Sequence, residues 1–288
     1  MAARLRGALC CWLAVGLAGV AGAPGRAQEL PDLVTPDVLR VCADPADPPF
    51  SSRSGEGFEN KIAAVIAAAL QVPLRYYWMQ KGPGFIQNTL GMKLCDVIIG
   101  HPAGAELVLH TNPYYRSTYV LLARRGTLSG VTRLSDPGLR NKRIGMIAGT
   151  PPGDHLADTG LIEQVRPYSP YMLGSDRTAT PASAMVADVV SGALDVAVLW
   201  GPAAGALARQ AGAALEIVPL LHEGDRPPLS FRIALAVRPG DHAWKRSLDR
   251  VLRQRRAEIQ QTLQDYDVPL LDDENRLVGT GAVIAPAR

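Results

Sequence analysis

Five histidines (His101, His110, His155, His222 and His242) are the side chains best suited to hold a metal or move a proton near neutral pH, and they lie scattered along the chain. A zinc site built on one helix needs two imidazoles a turn apart, and no His-Glu-x-x-His run or Cys-x-x-Cys pair occurs. The phosphate-cradling Gly-x-x-x-x-Gly-Lys loop and the Gly-x-Ser-x-Gly nucleophile elbow are also missing. Asp154 and His155 are adjacent, which does not make a catalytic dyad. The sequence offers instead rings and a few polar groups at strand ends and loops: Phe50, Trp78, Gln80, Phe85, Tyr114, Tyr115, Arg116 and Trp200. Aromatic faces with sparse polar groups suit a small-molecule cleft. Taken singly, Trp78 and Phe85 read as core, so the argument rests on the set. Asp44 and Glu59 are candidate cleft acids, His101 and Pro102 follow a strand, and Thr150 sits in a Gly-Thr-Pro-Pro-Gly turn. No clean acid–base pair emerges, so the expectation is a binding site without a catalytic residue, a metal or a cofactor.

Alternating strands and helices must position these groups. Leu39–Ala43 reads as a buried strand, residues 44–57 as a Pro-, Ser- and Gly-rich loop, and the stretch from Phe58 as a helix with Ile62, Val65, Ile66, Ala69 and Leu70 at helical spacing. Strands are expected at 74–79, 96–100 and 119–123, and a short helix around Phe85–Leu90. The pattern restarts with a strand at 143–148. Thr180-Pro181 supplies a hydroxyl cap and a first-turn proline for a helix presenting Met185, Val186, Val189 and Val190 on one face. Strands at 195–199, 215–220 and 231–237 precede one long helix over 242–264. Two stretches rhyme, residues 91–100 and 192–201: each has a tight turn, an aspartate (Asp96, Asp195) and a buried strand. Both aspartates read as structural, holding turn amides. The rhyme points to two similar α/β lobes with mainly parallel sheets and ligands at the carboxyl ends of strands.

Arg4 and Arg6, an apolar run from Ala8 to Val20 and small residues up to Ala27 follow the order of a secretory signal. Cleavage is expected after Ala27, with Ala23 as the other candidate, and export to the periplasm follows. The run is shorter than the roughly 20 apolar residues of a membrane span, so no stable membrane insertion is expected. Lys and Arg number 30 against 27 Asp and Glu, and Arg4, Arg6 and Arg26 would leave with the leader, so the remainder is formally neutral. That balance excludes a nucleic-acid partner. Cys42 and Cys95 are too few for a disulfide scaffold, and the chain is expected to be a monomer held by its apolar core.

The order of segments resembles the periplasmic solute-binding proteins of the type II fold. The matching pieces are Leu39-Arg40-Val41-Cys42-Ala43, Pro49-Phe50-Ser51, Gly57-Phe58-Glu59, Cys95 to Gly100, Asn112-Pro113-Tyr114-Tyr115, Ile147-Ala148-Gly149-Thr150 and Leu194 to Val198. A narrower set resembles the MoxJ/XoxJ group: Val41 to Pro45, Gly55 to Ile62, Gln87-Asn88-Thr89-Leu90, Pro102 to Leu109 and Tyr114 to Val120. The resemblance implies a hinged, two-lobed α/β protein, with lobe 1 at 38–123 plus 230–288, lobe 2 at 127–225, and crossings near Leu122-Ala123-Arg124 and Ala234-Leu235-Ala236. It implies a non-catalytic accessory to a pyrroloquinoline-quinone (PQQ)-dependent methanol or alcohol dehydrogenase. The alternatives are a transporter-linked receptor for a small organic solute and an enzyme on the same scaffold. Amino-acid receptors of this fold grip the carboxylate with an arginine and the ammonium with an acid. Here Gly104 stands at the arginine position and Trp200 at the acid position. In the implied sheet the strands of Cys42 and Cys95 are neighbours offset by three residues, about 10 Å if straight, whereas a bridge needs Cα atoms roughly 4.4–6.8 Å apart. Export favours pairing and this geometry opposes it, so the bridge stays open at this point.

Overall fold

A computed structural model describes residues 34–104, 106–171, 179–212, 214–224 and 227–278, and the leader expected at 1–27 lies outside them. The chain runs β1 (Leu39–Ala43), β2 (Ala46–Asp47), β3 (Ser51–Ser52), α1 (Phe58–Leu70), β4 (Leu74–Trp78), β5 (Val97–Pro102), β6 (Leu109–His110) and β7 (Tyr115–Arg124). It continues with β8 (Ile144–Ile147), α2 (Pro152–Asp158), β9 (Val165–Tyr168), α3 (Pro181–Ser191), β10 (Val196–Trp200), α4 (Gly201–Ala211) and β11 (Leu215–Pro219). The last elements are β12 (Ser230–Val237), α5 (His242–Gln254), α6 (Arg256–Asp265), β13 (Leu270–Leu271) and β14 (Leu277–Val278).

The main sheet has the order β4-β1-β5-β12-β7-β10-β8-β9, with β11 added to β7 and β6 to β12. The outer trios β4-β1-β5 and β10-β8-β9 are parallel, as strand–helix alternation requires. The strands between them, β12 and β7, pair antiparallel with their neighbours, which makes the sheet mixed. The long strand β7 belongs to both halves. Tyr115 to Thr118 pair with β12, and Tyr119 to Arg124 pair with β10 and β11. Helices flank the sheet in an α/β architecture. One apolar cluster joins β1, α1, β5, β12, α5 and α6 around Phe58, Ile62, Ile66 and Leu248. Two further clusters cover the two faces of β7 and β10, one around Leu121, Ile144 and Val198, the other around Leu122, Met185 and Leu199.

The rhyme at Asp96 and Asp195 is realised as the same clamp twice. Asp96 takes both nitrogens of the Arg40 fork at 2.6 and 2.7 Å, and its backbone N–H donates to the Arg40 carbonyl at 2.8 Å. Asp195 takes Arg143 at 2.8 and 3.1 Å, with its own N–H on the Arg143 carbonyl at 2.9 Å. Each carboxylate therefore staples two parallel strands at their entry. Only Asp195 also accepts a backbone amide there, from Arg143 at 2.8 Å.

Several local expectations change. Residues 44–57 contain the β2–β3 hairpin. The long C-terminal helix is two, broken at Arg255, where φ is −105°. Thr180 caps α3 through Ser183 N at 3.1 Å as the sequence implies, but Val190 faces solvent. Cys42 and Cys95 form a disulfide with Cα atoms 5.4 Å apart. The straight-strand argument fails because the chain turns before β5: Leu94 N bonds the Thr89 carbonyl and Asp96 N bonds the Arg40 carbonyl. That turn lays Cys95 against the sheet face of Cys42 and Ile98, where Phe85 and Leu90 also pack.

Candidate binding site

Three strands of the first half, β1, β4 and β5, run in parallel; the segments leaving β1 and β4 carry Asp44 and Lys81, and the carboxyl end of β5 carries Gly100. The amino end of α1 faces the same place, because Phe58 N and Glu59 N bond the carbonyls of Pro49 and Phe50 at 2.9 Å each. Glu59 occupies the first turn of α1, where a negative charge meets the positive end of the helix dipole. Its carboxylate is buried and lies against Gly100, at φ +74°, where an added Cβ would stand 2.0 Å from Glu59 Oε1. A glycine is therefore required there to admit the acid.

Asp44 is buried and acts on the backbone. Its two oxygens accept Ala46 N at 2.9 Å and Lys81 N at 2.6 Å, fixing the start of the Lys81-Gly82-Pro83-Gly84 loop. The Lys81 side chain turns inward, with Nζ 3.2 Å from Glu59 Oε2 and 3.3 Å from Asp47 Oδ2. The same Nζ lies 5.5 Å from the centre of the Phe50 ring, within cation–π range. Burial pushes the Glu59 carboxyl up to about 7, with Lys81 opposing and the charges of Asp47 and Asp44 adding. Burial also raises Asp47. For Lys81 burial works downward, but the Glu59 and Asp47 charges prevail and hold the ammonium above its ordinary value. Tyr114 and Tyr115 stack edge to face at 5.0 Å nearby, and both phenols are held well above their usual range, chiefly by burial, with the Glu59 charge contributing.

Around this cluster the expected residues separate into groups. His101 and Pro102 line a cavity of about 410 Å³ together with Lys81, Phe85 and Gly100. His101 Nδ1 is 3.0 Å from His110 Nε2, and burial lowers both imidazoles. Phe85 is also core, packed beside the disulfide. Trp200 forms a second group, edge to face with Tyr119 at 5.4 Å and Phe231 at 5.8 Å. Thr150 belongs with it: its hydroxyl donates to the Ile147 carbonyl at 2.6 Å and partly opposes the upward push of burial on the Tyr119 phenol. Three candidates stand apart from both groups. Trp78 stacks on Tyr76 at 4.5 Å beneath the Arg53 guanidinium, and Gln80 is exposed. Arg116 lines a different cavity, of about 640 Å³, with Arg232 and Arg256, and donates to the Asp273 carbonyl at 3.3 Å. Sequence reasoning missed Lys81 and Asp47. The available signal was position: Lys81 follows a strand end and precedes Gly-Pro-Gly, a place from which a side chain can turn back over the sheet.

Two carboxylates and an aromatic face meet one ammonium, and among the described residues no group of three or more His, Cys, Asp or Glu side chains is placed to hold a metal. No helix of the described residues is long and apolar enough to cross a membrane.

No protein-family model matches the chain. Among curated proteins it is 32% identical to Protein MoxJ of Methylorubrum extorquens over 274 residues, 88% of this chain and 91% of that protein. Among solved structures it matches the periplasmic binding protein XoxJ from Methylobacterium extorquens AM1, with 48% identity and a TM-score of 0.71, over 82% of this chain and all of that one. MxaJ from Methlophaga aminisulfidivorans MPT also gives a TM-score of 0.71, at 25% identity, over 81% of this chain and all of that one. The fold is therefore that of the periplasmic binding proteins, and with this identity spread over nearly the whole chain, the protein belongs to the MoxJ/XoxJ family.

Proposed function

We propose that this protein is a periplasmic, solute-binding-like accessory that assists or matures a PQQ-dependent methanol or alcohol dehydrogenase and catalyses no reaction itself. One observation carries the choice of accessory over receptor. The acidic end of the strand-terminus site, where a receptor would meet a cationic solute, is filled by the chain's own Lys81, at 3.2 and 3.3 Å from Glu59 and Asp47. The resemblance read from the sequence implies the dehydrogenase as the partner to test. In this reading residues 1–27 are an export signal, and lobes at 38–123 plus 230–288 and at 127–225 flank the site. The handover of β7 between its two sets of partners at Thr118–Tyr119, a few residues before the crossing expected near Leu122-Ala123-Arg124, supports a pivot in this strand.

Deleting the gene should lower active dehydrogenase while leaving its transcript unchanged. Unchanged activity in the deletion strain, grown where the gene is expressed, overturns the reading. The receptor reading is favoured by the cavity of about 410 Å³ beside Lys81 and His101. It predicts loss of solute uptake in the same strain, with dehydrogenase activity intact.

A further inference from the structure

The inward lysine has a consequence for what the site would otherwise hold. Its three contacts come from separate elements: Glu59 from the first turn of α1, Asp47 from β2 and Phe50 from the segment after it. The walls stand independently of Lys81. Glu59 N is bonded to the Phe50 carbonyl at 2.9 Å, Gly57 N and Ser52 N are held by Asn60 Oδ1 at 3.2 and 2.9 Å, and Gly100 leaves the room Glu59 needs. The lysine is delivered by a further tether, Asp44 Oδ2 on its backbone N–H at 2.6 Å. Carboxylate acceptors on a half-buried cation, one of them fully buried, with an aromatic face beside it, form a recognition site for a primary ammonium. The cavity of about 410 Å³ reaches Lys81 past Gly82, Gly84 and Gly100, so the site has a route from outside.

We propose that the Glu59–Asp47–Phe50 cage is a binding site for a linear primary alkylammonium, and that Lys81 is its built-in occupant, which keeps free amines out of the native protein. The inference deepens the reading of the strand-terminus site and does not depend on the dehydrogenase partner, so the two can fail separately.

Lys81→Ala removes three methylene carbons and the ammonium, the outline of n-propylammonium. The buried Glu59 charge is then left without its cation, which destabilises the fold. Thermal midpoints are measured at about pH 9, which leaves room for the further rise of the Glu59 carboxyl once the Lys81 charge no longer opposes burial, with n-propylammonium, tetramethylammonium or sodium chloride at equal ionic strength. For Lys81→Ala, n-propylammonium should raise the midpoint by roughly 3 °C or more beyond sodium at saturating concentrations. Tetramethylammonium, which has no N–H donor, should do no more than sodium. The wild type should show no specific shift, and the double variant K81A/E59Q should lose the rescue. If K81A does not fold alone, its refolding yield in the same three salts replaces the midpoint. Equal effects of n-propylammonium and sodium on K81A overturn the proposal, as does specific stabilisation of the wild type by n-propylammonium.

Discussion

Glu59 shows how one side chain links burial, charge and stability. Its carboxyl is raised to about 7 from an ordinary value near 4.5, so the folded state prefers the protonated form. The stability this preference contributes is fully present below about pH 4.5, is lost as the pH rises through about 7, and is level above that. A shift of this size corresponds to roughly 3–4 kcal/mol. Lys81 stays charged across the window. His101 and His110, both lowered by burial, act with the opposite sign, adding stability as the pH rises through their ordinary value. Comparing the wild type with Glu59→Gln cancels the histidines. The wild-type midpoint should fall relative to E59Q between about pH 5 and pH 8, and a constant difference would remove Glu59 from the account. Of this site, Asp44, Phe50 and Glu59 were legible in the sequence because acids and a ring beside a helix start are conspicuous. Lys81 was not. A lysine ordinarily keeps its head in water, and its inward turn depends on a hydrogen bond from residue 81 back to Asp44 that no local pattern encodes.

At the scale of elements, the disulfide joins the turn before β5 to β1 and closes a loop with a sequence separation of 53. Replacing both cysteines with serine should cost about 2–5 kcal/mol, read from urea unfolding of matched samples. Thiol titration of the unfolded, unreduced protein should find neither cysteine free. The bond was unreadable because strand spacing describes a straight path, whereas the path to Cys95 bends across the sheet. The cap at Thr180 was readable because a hydroxyl and a following proline act within one turn. Helix α4 escaped notice for a different reason. Gly201 and Gly205 lie one turn apart on it, where an added Cβ would stand 2.5 Å from the Thr118 carbonyl oxygen and 2.0 Å from the Asp267 carbonyl oxygen. The helix packs by bringing backbone against backbone, which leaves no large apolar stripe to detect.

At the scale of the molecule, the site is expected to reject a zwitterion. Gly104 is exposed with open space around it, and Trp200 is engaged with Tyr119 and Phe231, so neither the cationic nor the acidic anchor of an amino-acid receptor is present at those positions. Calorimetry against the twenty amino acids should give no affinity of about micromolar or tighter, and one such affinity would show that the anchors lie elsewhere. The α/β repetition was visible in advance because Asp96 and Asp195 recur in the same setting, each before a buried strand. The middle of the sheet was not, because β12 enters between β5 and β7 from far along the chain, with Leu235 N bonded to Thr111 Oγ1 across 124 positions. That insertion sets an order of assembly. During synthesis β5 and β7 emerge early and wait, with unpaired hydrogen-bonding edges, for a strand that appears only near residue 230. Open edges recruit other chains, and pairings this distant are slow to form. A ribosome that stalls before β12 therefore leaves a nascent chain prone to stick to its neighbours, and the last fifth of the gene decides whether strands from its first half stay soluble.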